Sequence, residues 1–102
     1  MPTKTKKLPP VHPGQVLKSV LEDAQVSANQ VALACRIPAN RLTGIINGQR
    51  SMTGDTALRL ARYFGTSAQL WMNLQAKYDL EAAEDALASR IETEVQPMRK
   101  AS

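Results

Sequence analysis

The chain has 102 residues, a net charge of +4 and one cysteine, with 43% apolar and only 4% aromatic residues. That is the size of one domain, with an aliphatic core. No apolar run approaches the roughly 18 residues that cross a bilayer, no apolar segment follows the N-terminal lysines as in a signal peptide, and Cys35 alone excludes an internal disulfide, so a cytoplasmic protein is expected.

The first eleven residues, MPTKTKKLPPV, read as a flexible basic arm. His12-Pro13-Gly14 then opens a first helix, because proline's missing N–H has no intrahelical partner in a first turn. Val16, Leu17, Val20 and Leu21 follow at helical spacing, and Ala24-Gln25 closes the element. Ser27 is the expected N-cap of a second helix, with Val31, Ala32 and Ala34 as a small apolar face and Cys35 near its end. Arg36-Ile37-Pro38 makes a turn, since Pro38 cannot extend one helix but can start the next. A third helix runs from Ala39 to Asn47 and stops at Gly48, expected in the left-handed conformation.

Gln49 to Met52 is a loop. Thr53 caps a fourth helix with Leu58, Ala61 and Phe64 inward, ended by Gly65. Ser67 caps a fifth, in which Leu70, Trp71, Leu74 and Tyr78 share a stripe. From about Asp85 the pattern decays, Pro97 ends any helix, and the final MRKAS is expected to be disordered. The expected fold is all-α, a compact five-helix bundle. It divides into a flexible arm (1–11), a helical domain (12–84) and an acidic, partly helical to disordered tail (85–102).

Helices two and three, joined by about four residues, have helix-turn-helix spacing. On the third helix, Leu42, Ile45 and Ile46 point inward while Asn40, Thr43, Gly44 and Asn47 lie around the opposite direction. A glycine inside a helix costs about 1 kcal/mol relative to alanine, so the bare face calls for a cause. A major groove supplies one: Asn bonds adenine's N6 and N7 in bidentate fashion, and Thr meets a base edge or a thymine methyl. Ala39 is placed for another thymine methyl. Gly44 either lets the backbone approach closely or leaves room for a long neighbouring side chain to swing across. Arg41, Asn47, Arg50, Ser51 and Thr53 are placed for phosphate oxygens, which fix register without reading sequence. Charge agrees. Residues 1–78 hold ten Lys/Arg against three Asp/Glu, and residues 79–102 three against six. The basic body suits a polyanion.

These stretches resemble the HigA branch of the phage-repressor-like (XRE) helix-turn-helix family, the antitoxins of bacterial toxin–antitoxin pairs. The likeness rests on His12-Pro13-Gly14, on Ile37-Pro38-Ala39-Asn40-Arg41-Leu42 and on Ile45-Ile46-Asn47-Gly48-Gln49-Arg50. It continues through Thr53 to Ser67, then Leu70-Trp71-Met72-Asn73-Leu74-Gln75 and Tyr78-Asp79-Leu80, covering about residues 11–84. The resemblance implies a lambda-repressor-like fold and a homodimer that represses its own operon from a palindromic operator. It also implies neutralisation of a HigB toxin, a RelE-like mRNA endonuclease. Leu70, Trp71, Leu74 and Tyr78 would then lie at or under the dimer interface. Two departures stand out: Ala28 follows the capping serine where the family often has a phosphate-holding Gln, and Gln15 replaces the Glu of His-Pro-Gly-Glu.

An enzyme is not expected. His12 is the only histidine, Cys35 has no second thiol or histidine near it in sequence, and no acidic pair has a catalytic context. No metal, cofactor, small-molecule substrate or membrane is expected either. Two rivals remain: a stand-alone dimeric regulator without a toxin, and a pure protein-interaction bundle. Lys4, Lys6 and Lys7 read equally as a DNA-tracking arm or a solubilising tail. The acidic stretch from Asp79 to Glu94 reads as a partner contact or a solvated helix face.

Overall fold

The structure is a computed structural model that describes residues 8–99; the expectations for Lys4, Lys6 and Lys7 lie outside the described residues. It contains helices α1 (Pro13–Ala24), α2 (Ala28–Cys35), α3 (Ala39–Ile46), α4 (Gly54–Phe64) and α5 (Ala68–Glu94), with no strand among the described residues. None of these helices is long and apolar enough to cross a membrane.

Local chemistry sets the boundaries. Ser27 Oγ accepts from Gln30 N at 3.1 Å while Gln30 Oε1 accepts from Ser27 N at 2.7 Å, a reciprocal capping box. Thr53 and Ser67 cap α4 and α5 by accepting from Thr56 N and Leu70 N. Gly48 closes the turn after α3 with φ +76°, a conformation that a Cβ resists. Gln25 and Arg36 take the same left-handed region at φ 57° and 59° without being glycine, where an L-residue meets a cost of about 1–2 kcal/mol. Gln25→Gly is therefore expected to stabilise the fold by about 0.5–1 kcal/mol. A thermal midpoint that stays put or falls would show that the Gln25 backbone is not strained.

The helices close around Leu17, Val31, Ile37, Leu42, Ile45, Met52, Leu60 and Trp71, all nearly or fully buried. Each such aliphatic side chain contributes roughly 1.5–3 kcal/mol of transfer free energy. α1 packs on α3 and α5, α2 on α3 and α4, and α4 on α5. The α1–α3 crossing is close: an added Cβ on Gly14 would overlap the Ile45 carbonyl oxygen and lie 2.7 Å from the Ile45 carbonyl carbon. That backbone-to-backbone approach fixes where the third helix lies against the body.

Several placements differ from the sequence reading. Ala34, expected on the apolar face of α2, is exposed, and that face is Val31, Ala32 and Cys35. Leu58 is 66% exposed rather than inward. The inward face of α4 is Thr56, Ala57, Leu60 and Ala61 with Phe64 behind them, and Leu58 sits about 100° away from Ala57. Helix α5 does not decay at Asp85 but continues to Glu94. His12 does more than precede α1. It is buried, its Nδ1 caps the helix by accepting from Gly14 N at 2.9 Å, and its ring meets Tyr78 edge-on at 4.8 Å.

Candidate nucleic-acid interface

The turn between α2 and α3 carries only Arg36, Ile37 and Pro38. Ile37 is buried and Pro38 is the N-cap of α3, with no side-chain capping bond. In the first turn of α3, Arg41 N and Leu42 N donate to Pro38 O, and the side chains of Ala39 and Asn40 are both exposed. The Asn40 amide has no hydrogen-bond partner among the described residues. Thr43 is exposed too, and its hydroxyl donates to Ala39 O at 2.8 Å. Its donor is thus spent along the helix, leaving the oxygen lone pairs and the methyl group for a neighbour.

Gly44 resolves the choice its sequence left open. It is buried, because the side chain of Arg50 lies across it: a Cβ added there would meet Arg50 Cδ at 2.8 Å and Cγ at 2.9 Å. Gly44 O also accepts from Gln49 N and Arg50 N, so the glycine holds both the backbone and the stem of Arg50. The residue does not offer its own surface; it gives Arg50 a bed along the helix. Asn47, Arg50 and Ser51 are exposed at the far end of α3. Thr53 is exposed but its hydroxyl is occupied with Thr56.

Arg41 is half-buried and fixed: its guanidinium donates to Asp55 Oδ2 at 2.9 Å. Asp55 also accepts from Arg59 Nε at 3.1 Å, and Arg59 reaches on to Cys35 O, the carbonyl at the end of α2. One carboxylate thus ties α3 to α4, and through Arg59 to α2, setting the angle of the helix-turn-helix. The hydrogen bond from Arg59, with a smaller contribution from Arg41, holds the Asp55 carboxyl below its ordinary pKa. Its contribution to stability is therefore present above the usual carboxylate range and is lost as pH falls through the lower, folded-state value. An Asp55→Asn variant is expected to show a flatter loss of stability in acid than the wild type. Matching acid denaturation curves would show that the Asp55 carboxylate does not clamp α3 to α4.

Sequence reading missed this clamp, although Asp55 and Arg59 stand at the i, i+4 spacing of a helical ion pair, with the acid in the first turn of α4. It also missed Gln75. That side chain is 5% exposed, accepts from Met52 N through Oε1 at 2.6 Å and donates to Asp79 at 2.8 Å. Gln75 pins the loop that carries Arg50 and Ser51. Burial raises the Cys35 thiol pKa, against a smaller opposing effect of Arg59, so the thiol stays protonated. Among the described residues, no group of three or more His, Cys, Asp or Glu could hold a metal ion.

Of the four side chains placed at the start of α5 for a dimer contact, Trp71 lies inside the protomer at 1% exposure, with Nε1 donating to Thr66 Oγ1 at 3.3 Å. Leu70 is exposed at 45%, while Leu74 and Tyr78 are half-buried.

Comparison with known proteins places this geometry. Residues 17–71 match the helix-turn-helix family. The virulence-associated protein I of Dichelobacter nodosus is 42% identical over 85 residues, covering 82% of this chain and 79% of its own length. An addiction module antidote protein of the HigA family from Coxiella burnetii is 47% identical with a TM-score of 0.83, over 89% of this chain and 100% of that one. The antitoxin HigA of Pseudomonas aeruginosa, solved with the higBA promoter, is 41% identical with a TM-score of 0.84, over 88% and 99% of the two chains.

Proposed function

Because this chain belongs to the helix-turn-helix family, we propose that it is a HigA-type antitoxin that binds its own operator as a homodimer, represses its operon and neutralises a HigB-like toxin. The observation that carries the DNA reading is the first half of α3. There, an Asn40 amide without a partner among the described residues, Ala39 and Thr43 share an exposed surface, flanked by an Arg50 whose stem is seated on Gly44. Recognition helices in this motif contact base edges with their N-terminal residues. In this reading Ala39, Asn40 and Thr43 meet bases directly, and Gly44 takes part by letting Arg50 cross it. Asn47, Arg50 and Ser51 hold the phosphates, with Arg41 adding the guanidinium N–H groups that Asp55 does not take. Thr53, whose hydroxyl is spent on Thr56, drops out of that set except through its backbone N–H.

The missing glutamine at Ala28 has a local substitute. The oxygen of Gln30 is committed to the capping box, which leaves its NH2 as a donor at the start of α2, next to exposed Asn29. Either amide serves as a phosphate anchor. The likeness of this chain to HigA antitoxins supports the toxin partner.

The test is binding to the gene's own upstream duplex against a scrambled duplex across a salt series. A specific complex of two chains per palindrome is expected, with affinity falling steeply as salt rises because phosphate contacts release counterions. Equal, weak and salt-insensitive binding to both duplexes would leave a protein-interaction bundle. Co-expression with a toxin gene adjacent to this one separates the antitoxin from a stand-alone regulator: relief of growth arrest is the antitoxin result.

A further inference from the structure

The outer side of α4 forms one wall of a cavity of about 620 Å³, within the roughly 300–1,000 Å³ of sites that hold small organic ligands. Asp55, Leu58, Arg59 and Arg62 line it and recur in steps of three and four along the helix, so they share a face. Tyr63 stands beside them. The opposite wall is the end of α2, where Ala34 and Cys35 leave little bulk. Arg59 ties the two walls, its Nη1 donating to Cys35 O at 3.1 Å.

One exposed leucine on a protein surface is ordinary. Here Leu58, 66% exposed, and Tyr63, 42% exposed, line a concavity together with cations, and neither belongs to the core. Those cations are only partly spent. Arg59 uses Nε on Asp55 and Nη1 on Cys35 O, which leaves Nη2 without a partner among the described residues. Arg62 and the Tyr63 hydroxyl have no hydrogen bond or ion pair among the described residues. At i, i+3 spacing, the two guanidinium groups are close enough for one carboxylate to bridge them.

We propose that this cavity binds a small amphipathic organic acid, a single carboxylate carried on an arylalkyl body. The carboxylate accepts from Arg62 and from Arg59 Nη2. The ring lies over Leu58 and Ala34 beside Tyr63, where an edge-on contact suits an aromatic body. Asp55 sets the charge limit, because it lines the same wall and repels a second negative charge. A monocarboxylate therefore fits better than a phosphomonoester. The inference depends on neither the operator nor the toxin.

The test uses the full chain with hydrocinnamate as the probe, followed by NMR of the leucine and alanine methyl groups. Saturable shifts confined to Leu58, Ala34 and their neighbours are expected, with a Kd below about 1 mM, within reach of a ligand this small. The neutral isostere hydrocinnamide should bind about tenfold more weakly, and phenyl phosphate about threefold more weakly. Arg62→Ala should weaken hydrocinnamate by about fivefold or more, and it should keep its thermal midpoint because Arg62 has no partner among the described residues. Ala34→Trp, at an exposed position, should fill the cavity and abolish the shifts. Circular dichroism checks that it is folded, and Arg62→Ala carries the test if it is not. No shift at about 10 mM acid, an amide that binds as well as the acid, or an Arg62→Ala variant that binds like the wild type would each overturn the proposal. So would an acidic peptide, acetyl-Phe-Glu-Ile-Glu amide, that binds this face more than about tenfold more tightly than the acid, since the cavity would then be a protein-docking groove.

Discussion

Gly14→Ala is expected to destabilise the protein by roughly 3 kcal/mol or more, at the upper end of what overpacking usually costs. The added methyl would overlap the Ile45 carbonyl oxygen and lie 2.7 Å from the Ile45 carbonyl carbon and 3.0 Å from Ile46 Cα. These are backbone atoms of a helix whose inner face is Leu42 and Ile45, both 0% exposed. They have no rotamer with which to move aside. Relief requires α1 to back away from α3, which opens contacts around Leu17 at the centre of the core. For a domain of this size the thermal midpoint should fall by roughly 12–25 °C. Gly54→Ala is the control, since nothing lies within 4 Å of a Cβ there, and it should leave the midpoint nearly unchanged. If Gly14→Ala melts like the wild type, the close approach of α1 to α3 is misplaced.

That crossing shows where sequence reading stops. Ser27, Thr53 and Ser67 were legible as caps because a capping bond spans only three residues. The aliphatic faces of α1 and α3 were legible because their periodicity is unbroken. Gly14 was read only as part of a helix-opening motif, since nothing local says that α3 will press on it. Gln75 was equally silent: its partner Met52 lies 23 residues away, and an amide in a leucine stripe looks like an interruption. In α4 the larger Leu58 drew the inward assignment away from Ala57, although the smaller residue sits at 0% exposure. In α5 the buried face of Trp71 and Gln75 gives out near Asp79, and every residue from Ala83 to Glu94 is exposed. A search for one continuous stripe therefore saw decay where the helix goes on.

The surface proposed for recognition was legible for a different reason. Groove contact is made by residues that the core does not need, so their polarity survives as an unexplained face. Gly44 carried the clearest signal, and only the structure could choose between its two readings. Arg50 fills the space over the glycine, so the charge proposed to flank a groove is positioned by the helix itself. That arrangement also explains why a poor helix former can stand in the middle of an eight-residue helix. Its intrinsic cost of about 1 kcal/mol is offset by burial of Leu42 and Ile45 on the other side.

Asn40→Ala should separate recognition from stability more cleanly than any other change on this face. The side chain is exposed and makes no hydrogen bond among the described residues, and alanine is the better helix former by about 0.5 kcal/mol. Folding is therefore expected to be unchanged or slightly strengthened. Operator affinity should instead fall by about 1–3 kcal/mol, the worth of a bidentate contact to adenine, and preference at a single base pair in each half-site should relax. Affinity for scrambled DNA should hold, because the phosphate contacts proposed for Arg41 and Arg50 are left in place. The measurement is a set of operator duplexes, each altered at one position, titrated with both proteins at one salt concentration. If Asn40→Ala loses affinity for every duplex alike, the residue touches backbone and the reading frame of α3 in the groove must turn. If it loses none, α3 does not enter the groove by its first turn, and the exposed amide has some other use.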